Sequence, residues 1–137
     1  MNKYLFLLLV FSTTFSQGKK AKSTADKIYT QAELDEKASY DGYIDGNELL
    51  HAEINHYYKN PEALEKNGIT KCLVVISFTI ERNGTISNLK SIRDCGFGSG
   101  EEAIRVLKII KKWKPGKIKN KTVRSSYVIP IRLRNLE

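Results

Sequence analysis

The sequence predicts an α+β domain: a three-stranded antiparallel sheet with two main helices packed on one face. Three observations lead there. "LVVISFTI", Leu73 to Ile80, is almost continuously apolar and rich in β-branched residues, which is the signature of a buried central strand. Asn83-Gly84 follows at once and can supply the positive backbone angles of a tight hairpin, returning the chain in a more polar strand. Near the end, Val123, Tyr127, Ile129, Ile131 and Leu133 alternate with Arg124, Ser126, Val128, Pro130, Arg132 and Arg134, a one-sided strand. Pro130 places that strand at an edge, because proline cannot donate to a ladder.

The elements are taken in chain order. After Lys3 comes "YLFLLLVF", an apolar run much shorter than the roughly 20 residues of a membrane-spanning helix, then "STTFSQG". Residues 1–16 are therefore expected to be a secretory signal peptide, with small Thr14 and Ser16 ahead of a cut before Gln17. The alternative is a short uncleaved anchor. Lysine-rich residues 17–27 read as a flexible lead-in, and residues 28–137 as one small domain with no membrane span in the mature chain. The formal net charge of +8 favours acidic partners or anionic surfaces. Export from the cytoplasm argues against nucleic acid.

"IYTQAE" is a small strand candidate, and "SYDGYIDGNE" holds two Asp-Gly turn signals. Asp45 and Glu48 form a capping-box pattern ahead of a helix carrying Leu50, Ile54, Tyr57 and Tyr58 at helical spacing. A second short helix follows, with Asn60 as N-cap, Pro61 at its first position and Gly68 just past its end.

In the hairpin, Phe78 and Leu89 should face the core together. Pairing Ile80 with Ile86 then requires one extra residue, a bulge near Ser87. Carried outward from Phe78 and Leu89, the register sets Cys72 opposite Cys95, within disulfide reach, and export leaves both thiols free to oxidise. The alternative is one half-buried and one exposed thiol.

"GFGSGEE" looks like a phosphate-cradling loop but lacks the Lys-Ser/Thr ending of a P-loop and the surroundings of a dinucleotide fold. Ser99 with Glu102 instead forms a capping box for a helix with Ala103, Leu107, Ile110 and Trp113 on one stripe. In "KKWKPGK" the tryptophan could stack on nucleic-acid bases or end the core stripe. Its place on the stripe, with Pro115-Gly116 stopping the helix, favours the core. From Arg105 to Arg124 there are nine basic residues and no acidic one, so this run is a candidate docking surface for an acidic partner.

"GNELL", "NPEALEKNGI", "FTIERNGTISNLKSIRD", "EEAIRVLKIIKKWKPGK" and "TVRSSYVIPIRL" resemble, in order and spacing, the TonB C-terminal domain, over roughly Ile28 to Leu133. The resemblance implies a periplasmic binding domain and no enzyme. Its partner would be the TonB box peptide of outer-membrane transporters, added as a strand to the edge of the last strand. The matching edge here is Arg124, Ser126, Val128 and Arg132, with Lys117, Lys119 and Lys121 as steering charges. Homodimerisation is left open. A complete TonB also has an inner-membrane anchor and a long Pro-rich span, whereas the eleven-residue lead-in reaches only about 40 Å.

Nothing in the residues calls for a cofactor. His51 and His56 are five apart, wrong for ligands one helical turn apart, and no Gly-x-Ser-x-Gly nucleophile motif occurs. The competing reading is a basic envelope polyanion-binding protein that uses the Arg105–Arg124 surface.

Overall fold

The structure is a computed structural model, and it describes residues 26–41 and 47–134. The expected signal peptide, all but the last two residues of the lead-in, and Asp45 of the capping box lie outside the described residues. The elements run β1 (Ile28–Tyr29), a 3-10 turn (Gln31–Glu33), β2 (Ser39–Tyr40), α1 (Asn47–Tyr57), α2 (Glu62–Lys66), β3 (Lys71–Ile80), β4 (Ile86–Arg93), α3 (Ser99–Ile109), β5 (Trp113–Lys114), β6 (Lys117–Ile118), β7 (Lys121–Thr122) and β8 (Arg124–Arg134).

The sheet is not the expected three-stranded antiparallel one. It has four strands in the order β1-β8-β3-β4, and β1 runs parallel to β8. Two further two-stranded ladders, β2-β5 and β6-β7, lie outside it. The apolar β3 is central, flanked by β8 and β4 as its composition requires. The additions are two-residue strands, too short to carry a periodic signal, and tertiary contacts hold them in place. For β1 these are the Arg124 guanidinium on the Asp26 carbonyl and the Gln31 side chain on Ser125 and Ser126.

β3 alternates buried Cys72, Val74, Ile76, Phe78 and Ile80 against one face. Leu50 and Ile54 of α1, Leu64 of α2, and Ala103, Val106 and Leu107 of α3 close the core over that face. From β8 come Ile129, Ile131 and Leu133.

The hairpin differs from expectation in its turn, and its bulge falls near Ser87 as expected. Only Gly84 has a positive φ, 81°, while Glu81 N–H donates to the Thr85 carbonyl at 2.8 Å across a three-residue loop. A Cβ on Gly84 would also lie 2.6 Å from the Trp113 carbonyl oxygen, so the position excludes side chains twice over. Ile80 pairs with Ile86 as predicted, and the extra residue is Asn88, held at φ 52°, next to Ser87. A second register shift leaves Ile92 without a partner between Ser91 and Arg93.

Cys72 and Cys95 are disulfide-bonded, with Cα atoms 6.0 Å apart. They join just beyond the end of the β3-β4 ladder at Val75 and Arg93 rather than as facing residues within it. The bridge closes a loop with a sequence separation of 23. Reduction is therefore expected to lower the unfolding free energy by about 3 kcal/mol, measured by denaturant titration with and without reductant. Two titratable thiols in the denatured, unreduced protein would contradict the bond.

Three helix ends also depart from the sequence reading. Pro61 rather than Asn60 is the N-cap of α2, although Gly68 does take the left-handed position past its end, at φ 71°. Ser99 is buried as the first residue of α3, behind Gly98 as N-cap, and its hydroxyl accepts the Cys95 N–H instead of capping the helix. α3 stops at Ile109, so Trp113 is not on the helix; it sits in β5, where its backbone pairs with Tyr40. It is nevertheless a core residue, 5% exposed, which removes it as a stacking platform. Pro115-Gly116 does not end the helix but lets the chain pass the N-terminal segment, where a Cβ on Gly116 would lie 2.4 Å from Leu34 Cδ1.

Candidate functional site: the free edge of the last strand

β8 is paired to β3 over all but its first residue, from Arg134 opposite Lys71 to Ser125 opposite Ile80. Among the described residues, its other edge is covered at one end only. β1 pairs with Arg124 and Ser125, and just beyond it the Gln31 amide donates to the Ser126 carbonyl at 2.8 Å, while the Ser126 hydroxyl meets the Tyr29 carbonyl at 3.4 Å. Because that carbonyl points away from β3, strand alternation turns the backbone groups of Val128, Pro130, Arg132 and Arg134 the same way. All four residues are exposed, Val128 by 53%. Among the described residues, an open edge of seven residues, Val128–Arg134, remains, with a donor missing at Pro130.

Beside the far end of this edge lies a groove of about 420 Å³, walled by His51, Asn55, Tyr58 and Asn60 opposite Arg132, Leu133 and Arg134. The wall is fixed to α3. The Tyr58 hydroxyl donates to the Ser99 carbonyl at 2.9 Å, Lys59 N–H donates to Glu102, and Arg105 bridges Glu102 and the Tyr57 carbonyl. Burial pushes the Tyr58 phenol up, keeping it a donor. His56, by contrast, is exposed and stacked edge-on against Tyr57.

Of the residues proposed from sequence, Val128 and Arg132 lie on the open edge. Arg124 and Ser126 lie under the N-terminal segment, and Arg124 is also held in a two-pronged ion pair with Glu81 at 2.7 and 3.0 Å. Lys117, Lys119 and Lys121 belong to the β6-β7 hairpin, at the end of β8 opposite the groove; Lys117 pairs with Glu36 and the Lys119 N–H donates to Asp35. Sequence reasoning did not find the groove wall, because His51, Asn55, Tyr58 and Asn60 carry no local signal linking them to residues more than seventy positions away.

Ion pairs consume much of the cationic run. Arg105 is taken by Glu102, Lys112 by Glu53, Lys117 by Glu36 and Arg124 by Glu81. In return, Lys112 holds the Glu53 carboxyl below its ordinary 4.5, Arg124 does so for Glu81, and Arg105 for Glu102. The sign follows from linkage: folded carboxyls that bind protons less readily than unfolded ones stabilise the fold above about pH 4.5, and that contribution is lost as pH falls through their folded values. Thermal melts should therefore be nearly level from pH 7 to 5 and decline below pH 4.5. A melting temperature that rose over that lower range would contradict the ion pairs.

Among the described residues, no group of three His, Cys, Asp or Glu side chains could hold a metal ion, and no helix is long and apolar enough to cross a membrane. The candidate site is a backbone edge with a side-chain groove beside it. Residues 57–134, more than half of the chain, match the family described as Gram-negative bacterial TonB protein C-terminal, and the chain belongs to that family. No curated protein matches the sequence.

Two solution structures of the Helicobacter pylori TonB-CTD are similar. The longer fragment is 19% identical, with a TM-score of 0.51, covering 72% of this chain and 90% of that one. The shorter is 21% identical, with a TM-score of 0.49, covering 64% and 90%. At such identity the likeness to the longer fragment establishes the fold alone.

Proposed function

We propose that this is an exported, periplasmic TonB-like binding domain that engages outer-membrane transporters, capturing an extended transporter peptide as a fifth strand along Val128–Arg134. The observation that carries the reading is the open β8 edge lying directly beside the α1 groove. Backbone groups of an added strand would complete the ladder, and its alternate side chains would enter the space lined by His51, Asn55 and Tyr58. The N-terminal segment already uses this edge at Arg124–Ser125, so the incoming strand is limited to the stretch beyond Ser126. Domain limits of 1–16 for a signal peptide and 17–27 for a lead-in belong to the same proposal. The test is binding of transporter-derived peptides to the wild-type chain and to Val128→Pro.

A further inference from the structure

From Lys71 to Ser77 the face of the sheet turned away from the helices has no covering layer among the described residues; it closes over only at Thr79, which is buried. Register places Lys71 beside Arg134, Leu73 beside Arg132, Val75 between Pro130 and Arg93, and Ser77 between Val128 and Lys90. These residues alternate with the buried side of β3, so they share the outer face. Lys71, Lys90, Arg93, Arg132 and Arg134 are all exposed, and among the described residues none has an ion pair. Of the carboxylates that directly follow β3 and β4, Glu81 holds Arg124, and Asp94 accepts from the Ser91 hydroxyl and the Gly96 N–H; Glu65 borders a small pocket with Lys71 but forms no ion pair with it. Val128 and Ile92, 53% and 55% exposed, add apolar surface on the face and at its margin.

The five cations therefore form a two-dimensional array, extending about 20 Å along the strands and about 10 Å across three of them. The remaining unpaired lysines of the Arg105–Arg124 run are instead scattered over α3, the following loop, β5 and the β6-β7 hairpin.

We infer that this outer sheet face docks on an anionic lipid bilayer surface. A planar array of cations with exposed apolar side chains matches a plane of phosphate headgroups over acyl chains. A single extended polyanion would instead be served by one line of charge or a groove. The orientation leaves the edge of β8 at the rim of the contact, beside the membrane, with α1 on the side away from the lipid and Arg132 and Arg134, which also border the groove, at the boundary between the two. The inference stands on the sheet face alone and does not need the edge to bind a peptide.

The experiment is co-sedimentation of the chain, purified from exporting cells, with phosphatidylcholine vesicles with or without one-third phosphatidylglycerol. The variant Lys90→Gln/Arg93→Gln lies on β4, two strands from the free edge. Binding is expected only to the anionic vesicles and should weaken with salt. At about fivefold per basic residue at an anionic membrane surface, the double variant should bind roughly 25-fold more weakly. Its affinity for a transporter peptide should be unchanged, which separates this proposal from the preceding one.

Equal binding to both vesicle types, or an unweakened double variant, would overturn the inference. So would a soluble polyanion such as polyglutamate bound as tightly as the vesicles and lost in the same variant, since that would assign the face to a polymer or acidic protein.

Discussion

Trp113→Ala is expected to destabilise the domain by about 3–5 kcal/mol, the largest stability effect anticipated for a single side chain here. The indole is 5% exposed and meets three rings edge-on: Tyr40 and Phe78 at 5.1 Å and Tyr127 at 5.2 Å between centroids. It thereby ties β2, β3 and β8 together from a two-residue strand that has little else to hold it. Alanine would leave a cavity bounded by rings from separate strands, which cannot all close on it at once. The indole N–H is buried without a partner, so Trp113→Phe forfeits no hydrogen bond and should recover part of the loss. Urea titrations of the three proteins give the comparison. A loss below about 1 kcal/mol for the alanine variant would show that the ring is not a packing centre.

The parts of this fold that can be read from sequence are those governed by local period or local chemistry. The apolar run of β3, the alternation of β8, and the pairing of Cys72 with Cys95 all follow from residues within one hairpin or one strand. What escapes is decided by distant partners. β5 exists because Tyr40 pairs with Trp113, and no local signal announces it; β1 falls within the strand candidate "IYTQAE", but its parallel place beside β8 depends on the edge that Arg124 and Ser125 offer. α3 carries a helical apolar stripe through Trp113, but beyond Ile109 the chain straightens to make that pairing, and tertiary contact overrides the pattern. The candidate site divides the same way. Strand alternation and Pro130 pointed to the β8 edge proposed here, while its coverage by the N-terminal segment as far as Ser126, and the α1 groove at the other end, depend on contacts between residues remote in sequence.

That division bears on the prediction with the largest effect on binding. Val128→Pro should weaken capture of an extended transporter peptide by at least about tenfold, since one ladder hydrogen bond is lost at a cost near 1.4 kcal/mol and the ring obstructs the incoming carbonyl. Val128 is the first residue past the covered stretch whose backbone groups face outward, and Pro130 already lacks the next donor on that side. Two adjacent outward positions without donors would leave only Arg132 and Arg134 to begin a ladder. The fold should survive, because Val128 is 53% exposed and its amide faces away from β3. The residue before it, Tyr127, is already extended, as a residue preceding proline must be.

Neutralising Lys117, Lys119 and Lys121 provides the contrast. These side chains sit at the other end of β8, so their loss should alter only the rate of encounter, through long-range attraction. Peptide titrations of the three proteins, with circular dichroism to verify folding, decide between the two mechanisms. Undiminished binding by a folded Val128→Pro chain would end the strand-addition mechanism. Binding abolished by the lysine changes alone would move recognition from the backbone edge to the charges of the β6-β7 hairpin.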